Sequence, residues 1–292
     1  MTEQELQQLR REKWGQDDKS IRTLQEARAF VERVGFCLMF PQRNLAPMPS
    51  FIGAFVGAET GLPDWQHAFE DPRASDATDL MVRLLRERLA FEANYLDANN
   101  PFLLAASVFP YFYALAGERN PKQPPQPGPR SPYSQLSCDV YAVIHRDGPV
   151  SKQKLLEKIG GGLSTAVLDT ALAELWSKLR ITRVDYRADA GSVWDVLQRW
   201  APDAVHEGIQ LSVPEALSAL LSKYLDNVIA IEQTELEALF GQFAPRSKVR
   251  DAVNALLSAR ELSFTPLGGR SLLQIAPAKE PLPVVAPRQP VP

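Results

Sequence analysis

Side chains that could do chemistry are few and scattered in this 292-residue chain. The three histidines, His67, His145 and His206, stand far apart and form no H-x3-H pair, so no metal site is expected. His145 falls at a helix end, where a cation or a carbonyl-capping donor suits the dipole. Cys37 and Cys138 sit in the apolar stretches VGFCLMF and QLSCDVY and read as reduced core residues. Cys138 and His145 share a helix but lie two turns apart, too far for a thiol–imidazole pair. No serine stands in G-x-S-x-G. Gly160-Gly161-Gly162 before Ser164 imitates a phosphate cradle but has neither the Walker lysine nor a preceding strand. It reads as a turn between two helices, placed where a phosphate could touch it.

What does recur is cationic and suited to phosphate. One group is Arg246, Ser247, Lys248, Arg250 and Asn254, with Arg270 further on; another is Lys178, Arg180, Arg183 and Arg187; a third is Arg83, Arg86 and Arg88. Lysine and arginine neutralise nucleic-acid phosphates, and asparagine can pair with a base edge. The same patterns also arise on ordinary solvated helix faces, and Arg-Glu-Arg on a helix is a common ion-pair set.

The elements that must carry these residues are best defined in the second half. A helix covers about 134–145, with Leu136, Val140, Val143 and Ile144 inward. Ser151 caps a short helix closed by Gly160 and Gly161. Ser164 caps a longer one with Val167, Leu168, Ala171, Leu172, Leu175 and Leu179 on its buried stripe. ITRVDYR and VWDVL then alternate as two strands around the turn ADAGS. The order recurs: a helix over about 214–227, a second in TELEALFG, a third in APRSKVRDAVNALLSAR, and the hairpin ELSFTPLGGRSLLQI. Helix, helix, helix, hairpin is winged-helix order, so the expected fold is mostly α with small β hairpins (α+β), in tandem winged-helix units. On that geometry the first unit exposes Thr165, Asp169, Thr170, Glu174, Ser177 and Lys178, an acidic set, while the second exposes the basic Arg246 group. Trp176, Trp194 and Trp200 read as packing at the junction between units, with base stacking as the alternative.

Upstream, Leu24, Ala27, Phe30, Val31 and Val34 share one helix face, and SFIGAFVG forms a short helix. A further helix runs from Asp79 to about Phe91, capped by Asp76 or Thr78, with Leu80, Met81, Leu84, Leu85 and Leu89 inward. The proline-dense stretch ending at Pro132 marks a linker. The expected division is a polar arm at 1–19, an N-terminal helical, winged-helix-like domain at 20–132, winged-helix units at 133–210 and 211–276, and a disordered proline-rich tail at 277–292.

Composition bounds the function. Hydrophobic residues make up 45% and charged residues 23%, ordinary for a globular protein with a sizeable core. The net charge of −3 argues against strong non-specific DNA binding by the whole chain and leaves room for a local basic face. The charged N-terminus has no apolar signal core, and no apolar run reaches the ~18 residues that span a bilayer, so a cytoplasmic location is expected.

Three strings carry a resemblance: Val34-Gly35 followed by an apolar run and a proline-rich loop, FPYFYALAG, and VWDVLQRWAPD. Together with the element order over about residues 20–275, they resemble the AlkZ/YcaQ-like winged-helix DNA glycosylase family. The resemblance implies three winged-helix units around a cleft for double-stranded DNA, with no metal or organic cofactor. Active members of that family carry Gln-x-Gln or Gln-x-Asp shortly after the dipeptide. Here the corresponding positions hold Leu38 and Phe40, which can neither orient a water nor stabilise an oxocarbenium ion. Gln42, two positions on, is the nearest polar substitute. The expectation is a DNA-binding relative of repair glycosylases without the known motif. An active glycosylase on alkylated or crosslinked bases, and a protein–protein or transcription-regulatory module, stand as alternatives.

Overall fold

Capping residues set many of the helix starts. Thr23 and Glu26, and Ser212 and Glu215, form reciprocal capping boxes, while Ser134, Ser151 and Ser164 each accept a backbone N–H of the helix they precede. A computed structural model describes residues 1–277 apart from 18, 19, 43, 65–69, 98, 99, 161 and 188. His67, Gly161 and the proline-rich tail from residue 278 therefore lie outside the described residues.

The chain begins with α1 (Glu3–Lys13). A first unit follows as α2 (Leu24–Val34), β1 (Phe36–Leu38), α3 (Phe51–Val56), α4 (Pro72–Arg86), β2 (Ala90–Asp97) and β3 (Asn100–Ala105). After α5 (Phe109–Ala116) comes a second: α6 (Gln135–Asp147), β4 (Val150–Ser151), α7 (Lys152–Ile159), α8 (Thr165–Ser177), β5 (Ile181–Arg187) and β6 (Gly191–Val196). Then α9 (Leu197–Trp200) and α10 (Pro202–Gln210) lead to a third: α11 (Val213–Val228), β7 (Ala230–Ile231), α12 (Gln233–Phe240), α13 (Arg246–Ser258), β8 (Leu262–Leu267) and β9 (Arg270–Ile275). Each unit forms a three-stranded antiparallel sheet in which the short first strand pairs with the last: β1-β3-β2, β4-β6-β5 and β7-β9-β8. The fold is mostly helical with small antiparallel sheets.

Several expectations are corrected. The helix expected to start near Asp79 starts at Pro72, capped by Asp71, whose carboxylate accepts from Arg73 N at 2.9 Å. Thr78 is interior and donates to Ala74 O at 2.7 Å. Pro72 at the first turn has no N–H to waste, which is why the helix can begin there. Phe91 belongs to β2, and the hairpin of β2 and β3 was not anticipated, nor was α10. Val167, expected on the buried stripe of α8, is 47% exposed.

The expected domain division changes most. The core of the first unit runs without a break into that of the third. Phe36 packs against Phe102 and Phe112 of its own half at 5.7 and 5.4 Å, and against Tyr224 and Phe240 of the third unit at 6.0 and 6.5 Å. The second unit keeps a separate core built on Val140, Ile144, Leu155, Leu168, Leu172, Leu175, Ile181 and Trp194. Residues 211–276 are thus not an independent body. α5 and α10 help to close the joint: Gly208 lies so near α5 that a Cβ would meet Pro110 O at 2.8 Å.

The N-terminal arm and the linker are both tied down. Arg10 donates from Nε to Val228 O at 3.0 Å and from Nη2 to Ala230 O at 2.7 Å, and Trp14 Nε1 donates to Asn227 O at 3.1 Å. These groups satisfy carbonyls at the C-terminal end of α11, which its own helix leaves open. Leu6 packs with Ala230, Leu267 and Leu272. In the proline-dense strap, Glu118 accepts from Arg180 Nη1 at 2.7 Å and from the Tyr133 hydroxyl, while Gln123 O accepts from Arg180 Nη2 at 2.5 Å.

Arg10→Met keeps the apolar stem and deletes both charge-assisted bonds to buried carbonyls. It should lower unfolding stability by about 2 kcal/mol in urea melts. A variant as stable as the parent would show that α1 merely rests on α11.

Candidate nucleic-acid interface

Helix α13 buries one stripe, Val249, Ala252, Val253 and Leu256, and turns Arg246, Ser247, Lys248, Arg250 and Asn254 outward, all exposed. No side chain caps its start at Pro245, and the amides of Lys248 and Val249 bond back to Pro245 O at 2.8 and 3.2 Å. Helices in the same slot of the other units are used differently. α4 packs on β5 and α8 on β2, each bracing a neighbouring unit, whereas the main contacts of α13 are with α11, α12 and β8 of its own unit. Beside α13, Gly268-Gly269 closes the β8–β9 hairpin and Arg270 follows.

The charges on this face are partly spent. Arg250 Nη2 donates to Glu237 Oε2 at 3.0 Å, and Arg270 reaches Glu3 at 2.9 Å and Glu232 at 3.2 Å. The hydrogen bond from Arg250 holds the Glu237 carboxyl below the usual glutamate range, against the opposing effect of burial. Arg246 and Lys248 make no ion pair among the described residues.

The middle unit offers less. Of its expected basic residues, Arg180 is 3% exposed and its guanidinium is enclosed by Glu118, Asn120 O and Gln123 O. It cannot meet a phosphate and instead anchors the strap. Arg183 is likewise withdrawn: it pairs with Glu92 of β2, which is 1% exposed, and lies over Trp176 at 5.4 Å. A buried carboxylate needs such a partner, so this pair serves the contact between units. Arg187 is exposed, 3.8 Å from Asp185, and Lys178 is half-buried without an ion pair among the described residues. Thr165, Asp169 and Thr170 are exposed as expected, but Asp169 is held by Lys152 at 2.6 Å, and Glu174 caps α6 by accepting Ser134 N at 2.8 Å. Ser177 folds back to donate to Glu174 O at 2.9 Å.

The remaining arginine group does not act together. Arg86 is bound to Asp185 at 2.7 Å, Arg88 lies over Trp200 at 4.4 Å, and Arg83 is exposed without an ion pair among the described residues. Trp176 donates to Glu92 O at 3.1 Å and meets Trp194 edge to face at 5.0 Å, so these two rings pack the contact of the first and second units.

Leu38 is 2% and Phe40 4% exposed, both within the shared core. Gln42 is exposed and lines a groove of about 280 Å³ together with Gln7, Trp14, Leu45 and Met48. Among the described residues no three His, Cys, Asp or Glu side chains gather as metal ligands. Burial pushes the Cys37 thiol well above its ordinary range, and Cys138 is also raised, mainly by burial. His145 does not cap its helix; Arg199 does, donating to Ile144 O at 2.9 Å and His145 O at 2.8 Å. Among the described residues no helix is long and apolar enough to cross a membrane. Comparison with known protein families and with curated proteins finds no match.

Because the Glu237 carboxyl is depressed on folding, its pairing with Arg250 stabilises the fold above the ordinary glutamate range and is lost as pH falls through the lowered value. Glu237→Gln should therefore melt slightly below the parent at pH 7, and the gap should close as the pH falls through the lowered Glu237 value. A gap that stays equal across that fall would mean that the ion pair contributes nothing.

Proposed function

We propose that this chain is a duplex-DNA-binding protein of three winged-helix units, in which the third carries the helix that enters the groove. The observation that carries the reading is the free outer face of α13, with Arg246, Ser247, Lys248 and Asn254 on it, in the slot where α4 and α8 are engaged by neighbouring units. The repeated order of helix, strand, helix, helix and hairpin, with the first strand against the last, supports the winged-helix assignment. An α-helix fits the major groove of B-DNA, and the adjacent hairpin can follow the backbone. Arg246 and Lys248 suit phosphates, and Asn254 suits an adenine edge.

Base excision through the positions after Val34-Gly35 finds no support, since Leu38 and Phe40 are core residues. The chain then resembles the AlkZ/YcaQ-like scaffold and uses it to bind. A second reading, a protein-docking role for the middle unit, draws on the exposed Val167 among the uncharged Thr165, Ala166 and Thr170 of α8.

Duplex affinity should fall steeply with salt, and Arg246→Glu with Lys248→Glu should cut it more than tenfold. Removing two phosphate contacts should flatten the salt slope by about 1.8. Duplexes carrying alkylated bases should be bound without forming abasic product. Salt-independent or unchanged binding in the double variant sinks the α13 contact, and abasic product from the parent protein sinks the non-excising reading.

A further inference from the structure

A second groove of about 280 Å³ opens where the proline strap crosses α6 and α9. Pro121 and Lys122 line it from the strap, Tyr141 and His145 from α6, and Gln198 and Arg199 from α9. No carboxylate lines it, although the chain carries a net charge of −3. Asp195 lies close by in sequence but is buried and paired with Arg199. Arg199 has little left to donate, since it also holds Ile144 O and His145 O; what it adds is positive potential.

Four polar groups in the groove remain unspent. The Lys122 ammonium, the Gln198 carboxamide, the His145 imidazole and the Tyr141 hydroxyl make no hydrogen bond or ion pair among the described residues. Tyr141 is 4% exposed. Arg180 lies over its ring at 4.9 Å and His145 stacks on it at 5.8 Å and 28°. With the ring so engaged, its edge and hydroxyl are what the groove meets. The Tyr141 ring is nearly buried while its hydroxyl is not closed off from solvent, so that hydroxyl can donate to a ligand entering the groove. His145 is the exposed end of this stack and offers a free planar face.

We propose that this groove binds a phosphate monoester whose alcohol part also bears a planar ring, a mononucleotide with its base being the simplest case. Lys122, the Tyr141 hydroxyl and Gln198 donate to the phosphate oxygens, and the ring lies on the outer face of His145. At about 280 Å³ the groove lies just below the usual range of ligand sites, which suits nothing longer than a mononucleotide.

The test is calorimetric titration of the full chain with adenosine 5′-monophosphate, adenosine and inorganic phosphate. The nucleotide should bind at least about tenfold more tightly than either fragment. Lys122→Ala should weaken it about tenfold, and Tyr141→Phe, which keeps the ring stack, by about threefold or more. Lys122 is exposed, so its variant should melt as the parent does. The double variant Arg246→Glu with Lys248→Glu should bind the nucleotide unchanged, which separates this site from the DNA face. No nucleotide binding at ~10 mM, equal binding of phosphate alone, or affinity unaffected by Lys122→Ala would each overturn the proposal.

Discussion

The open carbonyls at two helix ends decide how this molecule is assembled. Asn227 at the end of α11 donates from Nδ2 to Val34 O, the last residue of α2, at 2.8 Å, and to Lys223 O at 2.8 Å. Val34 O would otherwise be a buried acceptor without a donor, because a helix leaves its final carbonyls unpaired. α11 has the same problem one step on, and Arg10 and Trp14 of α1 solve it. Each helix end is thus closed by a side chain from a distant part of the chain. Gly35 makes the first closure possible: at φ +78 it turns the chain into β1, and a Cβ there would lie 2.7 Å from Lys223 Cγ. Through this joint Phe36, the next residue, reaches Tyr224 and Phe240, and the first and third units share one core.

That fusion leaves the middle unit as the one that must be attached. It is held at two places by buried charge. Glu92 and Arg183 join its hairpin to the first unit, and Glu118 and Arg180 fasten the proline strap. Such pairs cost desolvation and repay it only with complete hydrogen bonding, so they specify position more than they add stability. Arginine suits the task because its planar fork can hold a carboxylate and backbone carbonyls at once, as Arg180 does.

Local elements with their own punctuation were legible in the sequence. Ser151, Ser164 and Gly160 bound α7 and α8 as their types suggest, and the period-two pattern of ITRVDYR is β5. What failed depended on neighbours. β2 and β3 are buried on both faces, at Phe91, Ala93, Phe102, Leu103 and Leu104, so no polar–apolar alternation announces them. The core shared by the first and third units, across the boundary expected near 210, has no sequence signal for the same reason: nothing in the spacing of Phe36 and Tyr224 says that they stack. Arg180 and Arg183 were misread because a cation that anchors a buried carboxylate has the same sequence signature as one that meets phosphate. The groove of Lys122, Tyr141, His145 and Gln198 draws on three separate segments, and no local spacing could have joined them.

The third helices of the units differ in how their apolar faces are covered. In α4 the buried residues Leu80, Met81, Val82, Leu84 and Leu85 occupy five of six consecutive positions, so that helix has partners on more than one side. In α8, Leu168, Ala171, Leu172 and Leu175 form a single stripe, but Trp176 beside it widens the buried face toward β2. In α13 the buried stripe is Val249, Ala252, Val253 and Leu256, with Leu257 half-buried beside its end. α8 and α13 carry apolar residues at the same five spacings, and they part at the last of them: Trp176 is buried against β2, whereas Leu257 stays half-buried within its own unit. The neighbour each helix meets therefore separates the two helices that brace the assembly from the one whose outer face is left open. It does so without reference to charge, which by itself pointed equally to residues the fold had already committed elsewhere.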